Sequence, residues 1–296
     1  MLPHAGLCVS RAISAFQFSV LKARPFLRIR YGRFPKNSFC LHPSSFILSF
    51  MPRILGLDFF GGTSREAVEQ ITRRGGLLVA PAAPSMVAFC RDENYRRALL
   101  QAEIAIADSG FMVLLWKFFT GETISRISGL EHMKRLLEHD STRQPGSVLW
   151  VVATERSREK LSRFLRGSDL PATDSAVYVA PKYGRPVEDE RLLEGVRRAR
   201  PRHIVIAVGG GIQDQLGQYL LERLDYRPAV HCIGAAIGFL TGDQVRIPDW
   251  ADKFYLGWLF RSLAHPRIFI PRFWSARRLP WLIWKYRERL PPMEEK

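Results

Sequence analysis

The chain has 296 residues, 47% hydrophobic and 24% charged, a globular composition long enough for one large domain or two small ones. Its formal net charge of +16 and pI near 10.2 point to a polyanionic partner: nucleic acid, an anionic membrane or phosphorylated substrates. No stretch reaches the roughly 20 consecutive apolar residues that span a bilayer, and Cys8, Cys40, Cys90 and Cys232 form no C-x-x-C pair, which argues against a disulfide framework or a zinc site and for reduced cytosolic thiols.

Residues 1–50 carry Arg11, Lys22, Arg24, Arg28, Arg30, Arg33 and Lys36 and no acid. This resembles an organelle transit peptide, or an over-extended reading frame whose start is Met51. The second reading is the expectation here, with residues 1–50 a non-native or disordered leader. Leaving out its seven positives lowers +16 to +9, so the basic bias survives.

From Met51 onward, short apolar runs alternate with amphipathic stretches. Runs at Arg53–Asp58, Leu77–Ala80, Ile104–Ala107, Val148–Ala153, Ala176–Ala180, Ile204–Val208 and Ala229–Ile233 predict strands buried on both faces. Helical spacing predicts helices over Ser64–Arg74, Pro84–Ala102, Phe111–Phe119, Glu131–His139, Glu155–Leu165 and Glu188–Arg198. Thr63-Ser64-Arg65-Glu66 has the form of a capping box. Repeated strand–helix–strand predicts an α/β domain with a mostly parallel sheet covered on both sides.

In such sheets ligands sit beyond the carboxyl ends of the strands, which singles out two places. At Ile104–Gly110 an apolar strand ends in Asp108-Ser109-Gly110. An unpaired buried carboxylate is costly, so Asp108 either caps the following helix or faces the crevice, where it could take a proton from an attacking hydroxyl. At Val208–Asp214 the G-x-G-x-x-G fingerprint fails, because Asp214 holds the third glycine position. The amides of Gly209, Gly210 and Gly211 could still bind a phosphate or sugar hydroxyl at a helix start, and a plain tight turn explains them as well. Glu188-Asp189-Glu190 reads as a helix start and not as a metal–nucleotide motif.

After Trp250 aromatics interleave with Arg and Lys, from Phe254 and Trp258 to Trp281, Trp284 and Arg289, and Pro266, Pro271 and Pro280 cut the stretch into short helices. That composition suits a segment lying in a membrane interface, a segment docked on the domain with its cations outermost, or one stacking on single-stranded nucleic acid.

The motifs form an ordered set. Ala80-Pro81-Ala82 is followed by Asp108-Ser109-Gly110, Arg126-Ile127-Ser128-Gly129, Gly209–Gly211 with Gln213-Asp214, the turn Gly234–Gly242, Arg246-Ile247-Pro248 and Gly257–Arg261. In this order they resemble the WecG/TagA/CpsF glycosyltransferases over essentially all of residues 53–292. Departures are Ala80 and Ala82 for the family's Thr and Asn, Ile237-Gly238 for its Phe-Asp, and a glycine loop two residues short.

The resemblance implies a Rossmann-like fold at residues 51–250, with a basic, aromatic, membrane-binding helical appendage at 251–296. It implies an inverting, metal-independent transfer of an N-acetylhexosamine-type sugar from a UDP-sugar to a polyprenyl-diphosphate-linked acceptor, with no cofactor, in cell-surface polysaccharide synthesis. Asp108 would be the general base. Ser128, Gly129, Gly209, Gly210, Gly211 and Gln213 would line the substrate, and Arg246 and Arg261 would neutralise the diphosphate. A cytoplasmic protein peripheral on the inner face of the cell membrane, able to form a homo-oligomer, follows, with nucleic acid set aside as partner. The alternative is a non-catalytic member that binds nucleotide-sugar or a partner protein.

Overall fold

The computed structural model describes residues 51–168, 170, 176–234, 236–242, 260, 263 and 266–294. The leader at 1–50, Arg246 and Arg261 lie outside the described residues.

The described chain opens with β1 (Arg53–Ile54) and β2 (Leu57–Asp58), then runs α1 (Ser64–Arg74), β3 (Gly76–Val79), α2 (Ala83–Ala88), α3 (Glu93–Leu100) and β4 (Ile104–Ala105). It continues through α4 (Gly110–Thr120), α5 (Gly129–Glu138), β5 (Val148–Val152), α6 (Glu155–Arg166), β6 (Val177–Val179) and α7 (Glu190–Ala199). β7 (His203–Ala207), α8 (Ile212–Arg223), β8 (Ala229–Cys232), α9 (Ala236–Thr241), α10 (Pro266–Ser275) and α11 (Leu279–Tyr286) complete it.

Six strands form one parallel sheet in the order β4–β3–β8–β7–β5–β6. The apolar runs are continuous because alternate residues feed two cores. Leu77, Val79, Val151, Ile204, Ile206 and Val230 face one side, with Met112 and Trp116 of α4 and Leu216 of α8. Leu78, Trp150, Val152 and Val205 face the other, against Val68 and Ile71 of α1, Met133 of α5 and Leu161 of α6. The sheet with helices on both sides is the α/β, Rossmann-like arrangement expected. At α1 the capping box is present: the Thr63 N–H donates to Glu66 Oε2 at 2.7 Å and the Glu66 N–H returns to Thr63 Oγ1 at 3.3 Å.

Two expectations need correction. Arg53–Asp58 is a two-stranded antiparallel hairpin apart from the main sheet, turned by Leu55 and Gly56 at positive φ. Arg53 and Asp58 face solvent as an ion pair of 2.6 Å, so this run is not buried on both faces. Pro84–Ala102 is two helices, because Asp92 adopts an extended conformation and its carboxylate accepts the Tyr95 N–H at 3.1 Å as a new N-cap. The helix after the glycine loop, α8, was not among the predicted segments; its apolar pattern is interrupted by Gln213, Asp214 and Gly217, all buried.

The C-terminal segment is sewn into the domain. Ala276, Leu279, Leu282 and Ile283 belong to the first core. Glu294 pairs with Arg91 and Arg278, and the Leu55 N–H donates to Arg287 O at 2.7 Å. Trp281 and Trp284 point outward from the same helix.

Beneath the second side of the sheet runs a chain of imidazoles. His132 Nε2 lies 3.0 Å from His231 Nδ1, His231 Nε2 lies 3.2 Å from His203 Nδ1, and His203 Nε2 lies 2.7 Å from Ser141 Oγ, which is 2.7 Å from His139 Nδ1. The backbone fixes the direction of every proton. The Ser141 N–H donates to His139 Nδ1, so that nitrogen is bare. Ser141 Oγ–H then donates to it, and each further bond must come from an Nε2–H, ending at a bare His132 Nδ1. That last atom is buried and has no partner among the described residues. The rings are bonded in series and converge on no common point. Burial holds His132 down to about 3, His203 to about 4 and His231 well below the ordinary value, so all three are neutral.

Two outcomes follow from this packing. A histidine kept neutral by folding takes up a proton more readily when unfolded, so its contribution is complete above pH 6.5 and is lost as pH falls toward its folded value. Buried Asp214, raised to about 7, works in the opposite sense and gains stability as pH falls from 7. Three imidazoles against one carboxyl leave a net two protons, so stability should fall by about 3 kcal/mol per pH unit between pH 6 and 4.5. Urea unfolding at pH 7, 6 and 5 checks this, and an unchanged midpoint would contradict the neutral chain. Separately, Ile283→Ala should cost about 2–5 kcal/mol and Trp284→Ala within about 0.5 kcal/mol. Equal effects in chemical denaturation would show that α11 is not part of the core.

Candidate active site

Every parallel strand delivers its carboxyl end to one edge, and the described ones among the predicted residues, Asp108, Ser128, Gly129, Gly209, Gly210, Gly211 and Gln213, follow these strands from different parts of the chain. Asp108 follows β4. It does not cap the helix after it: Ser109 does, its Oγ accepting the Met112 N–H at 3.3 Å. The Asp108 carboxylate reaches instead across the edge, where Oδ1 accepts the N–H of Gly129 at 2.9 Å. The Asp108 backbone carbonyl accepts Arg126 Nε–H at 3.1 Å, so main chain and side chain are both held by the 126–129 segment. Oδ2 receives no hydrogen bond among the described residues, and Asp108 is half-buried.

Ser128 is the N-cap of α5, its Oγ accepting the Glu131 N–H at 3.1 Å. Gly129 is the first residue of that helix and has a steric reason for its identity. A Cβ there would stand 3.1 Å from the carbonyl oxygen of Ile233 and 3.4 Å from the Ala236 Cβ. This close approach brings the Asp108–Gly129 pair against the turn after β8.

The turn after β8 is tied in its own right to the glycine loop after β7. The Gly234 N–H donates to Gln213 Oε1 at 3.0 Å, and the Cys232 thiol donates to Gln213 O at 3.1 Å. Gln213 is 2% exposed, so its amide orders the Gly234 turn. In the loop, Gly209 (φ 118°) and Gly211 (φ 88°) adopt backbone conformations that side chains resist. Gly210 is exposed at its crest. The Gly211 N–H donates to Asp214 Oδ2 at 3.0 Å, which commits that amide and leaves those of Gly209 and Gly210, before α8, without an acceptor among the described residues.

The result is an arc across three strand ends: Asp108, then Ser128-Gly129, then Ile233-Gly234, then Gln213 and the glycine loop. Ala80 and Ala82 follow β3 on the same edge, and Ala82 stands at the N-cap of α2 with no side-chain hydrogen bond. Sequence reasoning missed Asp214 as a buried, loop-locking carboxyl. Its signal was its place three residues after Gly211, where a helix start would use it. It also missed Gly234 as the partner of Gln213. Asp189, predicted only to begin a helix, does so by accepting the Leu192 N–H at 2.9 Å, and it also accepts the hydroxyls of Tyr178 and Tyr183. Among the described residues no three His, Cys, Asp or Glu side chains are grouped to hold a metal ion.

Known proteins agree with the resemblance. Residues 52–294 match the profile of the glycosyl transferase WecG/TagA/CpsF family. A protein of Bacillus spizizenii named N-acetylglucosaminyldiphosphoundecaprenol N-acetyl-β-D-mannosaminyltransferase is 22% identical over 193 residues, which are 64% of this chain and 72% of that protein. A Bacillus subtilis protein of the same name is 21% identical over 198 residues, 66% of this chain and 75% of the relative. With the profile spanning most of the sequence, the chain belongs to the WecG/TagA/CpsF family of glycosyltransferases.

Proposed function

We propose that the enzyme moves an N-acetylhexosamine-type sugar from a UDP-sugar to a polyprenyl-diphosphate-linked acceptor during cell-surface polysaccharide synthesis. The observation that carries this reading is Asp108, a carboxylate at a strand's carboxyl end with one oxygen anchored by the Gly129 N–H and the other without a hydrogen bond among the described residues. Anchoring one oxygen fixes the direction of the second, as a general base requires. The acceptor's hydroxyl proton passes to Oδ2 while its oxygen forms the bond to the anomeric carbon. The bond from that carbon to the UDP oxygen breaks, and a single displacement inverts the configuration.

Negative charge then builds on the departing diphosphate. The amides of Gly209 and Gly210 at the start of α8 are proposed to receive it. Arg246 and Arg261, outside the described residues, are proposed to complete the neutralisation, so the step is assigned no metal. Gln213 contributes through the turn it holds at Gly234, and Ser128 through the start of α5. The relatives' names specify an undecaprenol-linked acceptor and an N-acetylmannosaminyl group, which supports a lipid-linked acceptor here. Work on such an acceptor calls for a protein seated on the inner face of the cell membrane. Outward Trp281 and Trp284, with Lys285 held 4.7 Å from the Trp281 ring, support that seat. A homo-oligomer and an anionic membrane surface remain part of the proposal, and nucleic acid does not.

A second reading rests on Ala80 and Ala82, small apolar residues where the family carries Thr and Asn: a member that binds nucleotide-sugar without transferring it. Release of UDP in the presence of a lipid acceptor separates the two.

Asp108→Asn keeps an oxygen for the Gly129 N–H and should leave the melting temperature unchanged, while transfer falls by about 10²–10⁴-fold. Undiminished turnover in this variant would remove Asp108 from the chemistry.

A further inference from the structure

The apolar character of α4 is out of place on a soluble domain. Its sequence, Gly110–Thr120, is apolar almost all round, with Lys117 its one charge. Met112, Val113 and Trp116 are buried, as a core-facing side demands. The opposite side should then be polar. It carries Phe111 at 39% exposure, Leu114 at 46% and Phe118 at 80%, spaced as one helical stripe. α11 packs against α4 and repeats the pattern. Its Leu279, Leu282 and Ile283 are buried, Trp281 and Trp284 are exposed, and Lys285 is its one charge. Trp274 at the end of α10 is 65% exposed and lies 4.9 Å from the Arg277 guanidinium.

From this we infer that α4, on the catalytic domain itself, inserts into an anionic lipid bilayer together with α11, and so fixes the height of Asp108 above the membrane. Two neighbouring helices with exposed Phe, Leu and Trp suit the acyl boundary, where aromatic rings sit at headgroup level. Their charges choose the occupant. Both are lysines, and neither helix bears an acid, so an anionic headgroup layer is complementary. The site's position adds a reason: Ser109 caps α4 immediately after Asp108, so the stripe begins at the candidate base and runs away from it. From Phe111 to Phe118 it spans roughly 10 Å. An enzyme resting on this ridge holds Asp108 near headgroup depth, where a diphosphate-linked sugar projects from its lipid. The inference deepens the proposed function and shares its membrane-bound acceptor, but its test needs neither donor nor acceptor.

The full chain is sedimented with vesicles of phosphatidylglycerol and phosphatidylcholine at low salt, with Leu114→Glu/Phe118→Glu, the milder Phe118→Ser, and Leu100→Glu on exposed Leu100 of α3 as control. Partitioning should fall at least about tenfold in the double variant and severalfold in Phe118→Ser, and stay at the wild-type level in Leu100→Glu. Wild-type binding in both α4 variants, an equal loss in the control, or no vesicle binding by the unaltered chain would overturn the inference. So would a change from dimer to monomer in the α4 variants without lipid, which would assign the ridge to a second copy. Loss of vesicle binding with Asp108→Asn still active would uphold the ridge and sink the base; the converse would sink the ridge alone.

Discussion

Strand β8 holds the molecule together. It lies between β3 and β7 and hydrogen-bonds to both along its length, with Gly76–Val79 in register on one edge and His203–Ile206 on the other. Without it the sheet parts into the pair β4–β3 and the trio β7–β5–β6. A four-residue strand can carry this because it is buried on both faces, where its amides and carbonyls have no water to turn to. Val230 and Cys232 serve one core, and Ala229 serves the other.

The same strand sets the candidate site. The turn that leaves it sets the Ile233 carbonyl close against Gly129 and gives the Gly234 amide to Gln213, so Asp108 on the β4 side and the glycine loop on the β7 side are spaced by one short element. Neither half reaches the other directly. Asp108 and Gln213 are 105 positions apart in the chain, and what relates them is a strand that enters the sheet late in the sequence.

What the sequence disclosed and what it hid divide along this line. Local physics was legible: apolar runs marked the six sheet strands, the Thr63 box marked a helix start, and Asp108 marked the carboxyl end of a strand. Where a neighbouring residue competed for the same role the reading slipped. Ser109 took the cap offered to Asp108, Asp92 broke one long helix into two, and Leu55-Gly56 folded one strand into a hairpin. Order across the sheet and the union of His132 with His231, 99 positions away, left no trace in linear spacing. The tail was read from its outer side, since exposed Trp and Arg dominate its composition. Leu279, Leu282 and Ile283, which dock it, are too few to show a period.

The imidazole chain has a consequence for how this sequence can change over time. His231 and His203 each give one proton forward and accept one from behind, while His132 only gives, so replacing His231 alone strands a donor on His132 and an acceptor on His203, both buried. An apolar substitute therefore does more harm singly than when its neighbours change with it, the non-additive behaviour of a shared network. Drift at 132, 203 and 231 is thereby coupled across three elements of the fold. Descendants of this protein should keep the three rings as a block or exchange them together for hydrocarbon.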